Sequence, residues 1–273
     1  MELTLKTLFI ADIVGESGLG IVETLLPGLV DKYKSDIVIA NAENAHEGRG
    51  LNREMAERLF TAGVSVITGG NHSFDKWKIF SYMKSEKRLL RPFNFPDGAP
   101  GFGYGVYSLE KCGVEFGVLN LQGRTFMNAI EDPFYAAASM VDQIRERTPL
   151  ILVDFHAEAT AEKMALGWEL DGKVSLVIGT HTHIPTNDAR ILPKGTGYIT
   201  DAGMSGPFDS VIGMQKKGAI RRFKSGLPQK FHVAKGDLRI CGLSSEIDKK
   251  SGRCIHIEPV IYPPFEHYGG EMG

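Results

Sequence analysis

Five short apolar segments, with amphipathic segments between them, constrain the fold of this chain more than any other feature. They are rich in β-branched residues and apolar on both faces, which is typical of strands in a sheet that is covered on both sides. The five segments are TLFIAD (7–12), DIVIAN (36–41), VSVITG (64–69), LILVDF (150–155) and VSLVIG (174–179). Helical patterns occur at 21–33, 53–63, 75–87 and 132–147. Most of the strands start roughly 30 residues apart, a spacing that predicts βαβ units.

The pattern changes after residue 190. Short segments with partial alternation and turn residues between them predict antiparallel strands packed on the same core. These segments are 198–203, 218–223, 230–236, 237–247 and 253–262. A hairpin is predicted at 105–121, inside the long interval between the third and fourth apolar segments. Because no linker composition or repeat interrupts the chain, we predict one α/β domain over residues 1–273, with two packed sheets.

Composition narrows the classes of partner. Among 273 residues the formal net charge is −2, which gives no general positive field for nucleic acid or an anionic membrane, so any phosphate ligand needs a local device. No segment approaches the ~20 apolar residues of a membrane helix, and the N-terminus lacks the order of a signal peptide. Three widely spaced cysteines predict reduced thiols rather than disulfides. We therefore expect a cytoplasmic protein that needs neither membrane nor nucleic acid.

Side chains that can bind metals follow each of the five apolar strands. They are Asp12, then Glu43 and Asn44, then Asn71 and His72, then His156, and finally His181 and His183. Taken singly, each has an ordinary explanation as a turn residue, a helix cap or a hydrogen-bonded structural histidine. Ligands of α/β sheets bind outside the carboxyl ends of the strands, where all of these residues would meet. Their coincidence predicts a metal centre.

The number of candidate ligands bears on the number of ions. An Asp, a Glu, two Asn and three His exceed what one tetrahedral zinc ion needs. Mixed imidazole and oxygen ligands suit iron, manganese or zinc. Two ions that share a bridging carboxylate would use the whole set, and such pairs catalyse in-line displacement at phosphorus.

Six motifs resemble a known family. GGNHSFD (69–75) and GTHTHIP (179–185) resemble signatures of the calcineurin-like metallophosphoesterases. Together with ADIVGESG (11–18), NAENAHEGRG (41–50), DFHAEATAEK (154–163) and TDAGMSGP (200–207), they resemble the bacterial YmdB-type branch. The resemblance implies a four-layer α/β/β/α sandwich of two mixed sheets and a dinuclear site. It also implies hydrolysis of small phosphodiesters, typically 2′,3′- or 3′,5′-cyclic nucleotides, and is compatible with a homo-oligomer.

The resemblance also implies a role for each site residue. One ion would be held by Asp12, Glu43, Asn44 and His183, and the other by Glu43, Asn71, His156 and His181, with Glu43 bridging. His72 would lie beside the scissile phosphate as general acid. The wider superfamily has Asp-x-His in its first motif, whereas this chain has Val14 at the third position. Asn44 would then replace the missing histidine as a metal ligand. Iron and manganese both remain open.

Several alternatives compete with this interpretation. A dinucleotide-binding protein needs G-x-G-x-x-G, and the opening loop has Gly15, Gly18 and Gly20 at another spacing, so we expect these glycines to turn the chain off the first strand. A TIM-barrel amidohydrolase normally carries its His-x-His on the first strand and fits the antiparallel final third badly. A regulatory protein with a structural metal site stays open.

Residues beside the motifs receive weaker assignments. Asp154 either orients a ligand or is a strand-end turn acid. Glu158 and Thr160 are expected to cap the following helix. Arg124 is a candidate for phosphate contact.

Overall fold

The structure, a computed structural model, describes residues 3–265. The strands are β1 (Thr4–Ile10), β2 (Ile37–Asn41), β3 (Val66–Thr68), β4 (Tyr104–Leu109), β5 (Val114–Gln122), β6 (Ile151–His156), β7 (Leu176–Thr180), β8 (Arg190–Ile191), β9 (Gly197–Ile199), β10 (Gly206–Pro207), β11 (Leu238–Asp248) and β12 (Cys254–Tyr262). The helices are α1 (Gly15–Tyr33), α2 (Arg53–Ala62), α3 (Phe80–Met83, preceded by a 3₁₀ turn at Trp77–Ile79), α4 (Pro133–Arg145), α5 (Thr160–Glu169) and α6 (Lys216–Ser225).

The strands form two mixed sheets. In the first, β1, β2 and β3 are parallel neighbours, while β11 lies antiparallel to β1 and carries β10 and β12 at its other edge. In the second, β5, β6, β7 and β9 are parallel in that order, with β4 and β8 antiparallel at the two ends. The predicted hairpin is β4–β5.

Buried apolar residues define four layers. One cluster joins the first sheet to α1, α2 and α3, for example through Leu8 and Leu26. A central cluster lies between the sheets and includes Phe9 and Phe116. A third joins the second sheet to α4 and α5, with Val153 as a member. The predicted α/β/β/α sandwich is confirmed.

The opening glycines behave differently from one another. Only Gly15 has a positive φ, +67°, and turns the chain after β1. Gly18 and Gly20 lie within α1, which begins six residues earlier than the helical pattern predicts and continues through Pro27. A Cβ at residue 18 would lie 2.4 Å from the Ser205 carbonyl oxygen, so this glycine permits close packing of α1.

Three predicted elements are wrong in type or extent. The segment 218–223 lies in helix α6, whose Lys, Ala and Arg residues favour a helix, and six residues cannot distinguish the two periods. The segment 198–203 contributes only its first two residues to β9, which is antiparallel to β8, as predicted, but also parallel to β7. Segment 230–236 forms only one isolated bridge, at Val233. Within the described residues, no helix is both long and apolar enough to cross a membrane.

Candidate metal centre

The candidate ligands meet where the carboxyl ends of the two sheets face each other. Strands β1, β2 and β3 of one sheet and β6 and β7 of the other deliver them. His156 is the last residue of its strand, and the others follow within a few residues. Five of the seven proposed ligands are buried, namely Asp12, Glu43, Asn44, His156 and His183. Burial of this much polar surface is costly unless the groups are paired or bind a metal.

The first cluster is built around the Nε2 atom of His156. This nitrogen lies 2.9 Å from Glu43 Oε1, 3.1 Å from Asn71 Oδ1 and 3.0 Å from His181 Nδ1. Imidazole nitrogen and carbonyl-type oxygen atoms at these distances are a suitable donor set for a borderline divalent ion. The candidate ligand atoms of Glu43, His156 and His181 all lie within 4.8 Å of one another.

A hydrogen-bond relay determines which ring nitrogen of His156 faces this cluster. Asp154 Oδ1 accepts the Thr180 hydroxyl at 2.7 Å, so the Thr180 oxygen is free to accept from His156 Nδ1–H at 2.9 Å. Nε2 is then the nitrogen available to a metal. Asp154 is anchored by Thr68 at 2.5 Å and Asn41 at 3.0 Å. Of the two sequence interpretations of Asp154, the geometry favours that of an orienting residue.

This relay leads to a testable prediction. Thr180→Val keeps the shape but removes the hydroxyl between Asp154 and His156. We expect metal affinity to fall by about 10- to 100-fold, because His156 loses the partner that orients it. Metal titration followed by calorimetry measures the change. Thr182→Val is the matched control, since the Thr182 hydroxyl makes no hydrogen bond within residues 3–265; equal losses in both variants would contradict the relay.

The second cluster surrounds the side-chain amide of Asn44. Its Nδ2 atom lies 3.4 Å from Asp12 Oδ1, 3.2 Å from Glu43 Oε1 and 3.1 Å from His183 Nε2. A donor group thus occupies a place surrounded by acceptors, and a half-turn of the amide would present Oδ1 there instead. His183 Nδ1 donates to the Ile212 carbonyl at 3.0 Å, which leaves its Nε2 facing the cluster.

The electrostatics also suit a cation. Burial raises the pKa of Asp12 to about 6, although His156 and His183 oppose this. Burial would raise the pKa of Glu43 as well, but His156 and the contacts with His72 outweigh it and lower that pKa to about 2. Burial lowers the pKa of His156, yet Glu43 and Asp12 prevail and raise it to about 9. Two buried carboxylates therefore attract positive charge to this point. Burial and the neighbouring His156 lower the pKa of His181 to about 3.

The His-x-His segment is not extended, so its two rings are not brought together by the alternation of a strand. His181 and His183 have φ of +103° and +66°, a region that non-glycine residues rarely adopt. Such strain persists only where surrounding contacts impose it. Here the Thr182 N–H donates to Asp201 Oδ2 at 3.0 Å, and Lys163 Nζ donates to the same oxygen at 2.7 Å.

The Lys163–Asp201 pair supports a stability prediction. Both side chains are 1% exposed, so removal of the cation leaves a carboxylate buried without its counter-charge. We expect Lys163→Met to destabilise the metal-free protein by about 3–5 kcal/mol. Urea unfolding in chelator measures this. The control is Lys173→Met, which breaks an exposed pair with Glu169 and should cost less than about 1 kcal/mol. A similar cost for the two variants would contradict the prediction.

His72 lies at the solvent side of the clusters. Its backbone N–H donates to Glu43 Oε2 at 2.9 Å, and its ring Nδ1 lies 2.9 Å from Asp75 Oδ2. The side chain is 21% exposed, so part of it is accessible to a ligand. The preceding Gly70 is required for space, because a Cβ there would lie 2.3 Å from both Glu43 Oε2 and His156 Cδ2.

Two assignments beside the motifs are not supported. Helix α5 begins after Ala159 without a side-chain cap, so the capping role of Glu158 and Thr160 is wrong. Glu158 instead lies 3.0 Å from His181 Nε2 and can hold the proton of that ring on the side away from His156. Arg124 pairs with Asp132.

The residues that orient the candidate ligands are not predicted from the sequence. Thr180, Asp201 and Lys163 all lie inside the motifs at 179–185, 200–207 and 154–163, but as single residues they carry no metal-binding signal. The Ile212 carbonyl has no signal at all, since any residue would supply it.

Known proteins share both the fold and the family of this chain. A 5′-nucleotidase from Candida albicans shares the fold of two mixed sheets between helices, with a TM-score of 0.55 at 11% identity over 94% of this chain and 50% of that one. The sequence matches the model of the YmdB-like protein family over residues 8–260. The chain belongs to this YmdB-like family.

Two relatives are much more similar. A 2′,3′-cyclic-nucleotide 2′-phosphodiesterase of Bacillus subtilis is 46% identical over 257 residues, which cover 94% of this chain and 97% of that protein. The crystal structure of a novel phosphatase from Mycoplasma pneumoniae superposes with a TM-score of 0.89 at 36% identity, over 96% of this chain and 94% of that one. The similarity therefore extends over nearly the whole chain.

Proposed function

We propose that this chain is a dinuclear metal-dependent phosphodiesterase whose substrates are 2′,3′- or 3′,5′-cyclic nucleotides. The observation that carries the proposal is the sharing of Glu43 Oε1 by the two clusters, since it lies 2.9 Å from His156 Nε2 in one and 3.2 Å from the Asn44 amide in the other. One carboxylate between two donor sets is the arrangement that a bridging ligand requires.

The donor atoms fit two ions. Asp12, Asn44 and His183 would hold one, Asn71, His156 and His181 the other, and Glu43 both. Iron or manganese suits these mixed ligands best, and zinc also fits. When bound, such ions act as Lewis acids on the phosphoryl oxygens and lower the pKa of water.

His72 would supply a proton to the leaving ribose oxygen. Asp75 Oδ2 lies 2.9 Å from His72 Nδ1 and so sets the orientation of the ring. The side chain is partly exposed, so a substrate at the site could contact it. General-acid catalysis by a histidine held in this way contributes about 10²- to 10⁴-fold to a rate.

The substrate class draws support from two sources. The Bacillus relative is by name a 2′,3′-cyclic-nucleotide 2′-phosphodiesterase, and nearly the full length of that protein is matched. The overall charge of −2 also favours a small substrate, held at the phosphodiester by the ions themselves. We propose the cytoplasm as the site of action, where the thiols of Cys112, Cys241 and Cys254, which form no disulfide within residues 3–265, would stay reduced.

A substrate panel tests the proposal. Protein reconstituted with manganese or iron should bind two ions per chain and hydrolyse bis-p-nitrophenyl phosphate and at least one cyclic nucleotide, whereas the chelated protein should not. Full metal content without hydrolysis of any phosphodiester would contradict the proposal and favour a regulatory protein with a structural metal site.

A further inference from the structure

The positive charge of this acidic chain is concentrated in one segment. Between residues 216 and 235 there are seven Lys and Arg residues and no Asp or Glu, which leaves 24 cations against 33 acids in the rest of the sequence. We call the excursion between β10 and β11, residues 209–236, the basic arm. All seven cations are exposed. In the part of the chain that the structure describes, only Lys216 has a carboxylate partner, Asp209.

Exposed apolar side chains alternate with these cations. Phe223 is 85% exposed and Phe231 41% exposed, and each stands between basic residues in the sequences RRFK and QKFH. Ile220 and Leu227 are exposed in the same arm, so the two rings belong to a group of exposed apolar side chains, and such groups mark interaction sites when they are contiguous. Cations interleaved with accessible aromatic rings are the pattern with which proteins bind single-stranded nucleic acid, through phosphate contacts and base stacking.

The base of the arm is part of the metal centre. The Ile212 carbonyl accepts the hydrogen bond from His183 Nδ1, and Met214 packs so closely on the loop after Asn44 that a Cβ at Gly48 would lie 2.5 Å from it. The two sides of the arm join at the Gln215 N–H, which donates to the His232 carbonyl at 2.9 Å. A strand bound to the arm would therefore have an end close to the metal-binding clusters.

We propose that the basic arm binds single-stranded RNA, so that the site accepts the 2′,3′-cyclic phosphate at the end of an RNA chain as well as free cyclic nucleotides. The proposed RNA binding depends only on the arm, whereas hydrolysis at the RNA end also depends on the proposed phosphodiesterase function. RNA is favoured over an anionic membrane because the arm is continuous with a site for phosphodiesters.

Fluorescence anisotropy with a labelled RNA of about 12 nucleotides tests the binding, in EDTA so that no turnover occurs. The triple variant Lys217→Glu, Arg221→Glu, Lys224→Glu should bind at least tenfold more weakly. The slope of log affinity against log salt concentration should be shallower by about 2 in this variant. Each phosphate contact on a single strand contributes about 0.7 to that slope, and three contacts are lost. Phe223→Ala should weaken binding by about tenfold through lost stacking.

The matched control is Lys84→Glu, Lys87→Glu, Lys111→Glu, which reverses three exposed cations elsewhere in the chain. RNA affinity that is equal in the two triple variants overturns the proposal, as does arm-dependent binding of phosphatidylglycerol vesicles without binding of RNA. With metal restored, the arm variant should keep its activity on cyclic mononucleotides and lose at least tenfold on the RNA end. A wild-type protein that binds RNA through the arm but hydrolyses nothing would overturn the proposed function and leave the binding supported.

Discussion

Replacement of Glu43 by glutamine is expected to abolish binding of both proposed ions and to lower kcat/KM by at least about 10⁴-fold, or about 5 kcal/mol of transition-state stabilisation. Glu43 Oε1 contributes to both clusters, and Oε2 accepts the His72 N–H, so a change at this side chain affects both proposed metal sites. Glutamine keeps the volume but replaces the charged oxygen by a neutral amide. Metal content per chain and steady-state kinetics measure the two effects.

Other ligand variants should give a graded response. Asp12 is proposed as a ligand of the ion held with Asn44 and His183, and His181 as a ligand of the ion held with His156. Asp12→Asn and His181→Ala should therefore each lower metal content by about one ion per chain. Glu47→Gln makes the same chemical change on an exposed side chain four residues from Glu43 and should change neither metal content nor kcat/KM. Two ions retained in Glu43→Gln would show that the carboxylate does not bridge.

That the candidate ligands lie close together could be predicted from the sequence because each follows an apolar strand, a property that is local in the chain. Asp12 and His156 belong to different sheets, yet the rule that ligands bind at the carboxyl ends of strands is enough to bring them together. The four layers could be predicted for a similar reason, because the patterns that indicate strands and helices extend over neighbouring residues.

The supporting contacts could not be predicted because they join residues far apart in sequence. Lys163 and Asp201 are separated by 38 residues, and neither sequence context indicates that they form a buried pair beneath Thr182. The left-handed backbone of His181 and His183 also lacks a local signal, because glycine and asparagine are the residues that usually mark it. The sequence predicts a strand at 218–223 instead of helix α6. Over only six residues, the apolar residues at 220 and 223 do not distinguish a helix from a strand.

Replacement of His72 by alanine is expected to lower turnover of a cyclic nucleotide by about 10²- to 10⁴-fold while two ions per chain remain bound. The ring contacts Asp75 and not the clusters, since only the backbone N–H of His72 reaches Glu43. Loss of the metal ions in this variant would mean that the imidazole is a ligand, and the role proposed for it would be wrong.

The dependence on the leaving group tests the general-acid role more sharply. A ribose alkoxide needs a proton when it departs, whereas p-nitrophenolate does not, so His72→Ala should impair hydrolysis of the cyclic nucleotide far more than that of bis-p-nitrophenyl phosphate. Asp75→Asn should show the same selectivity with a smaller loss, because it weakens the contact that orients the His72 ring without removing the acid. Equal losses on both substrates would indicate that His72 binds the phosphate and transfers no proton.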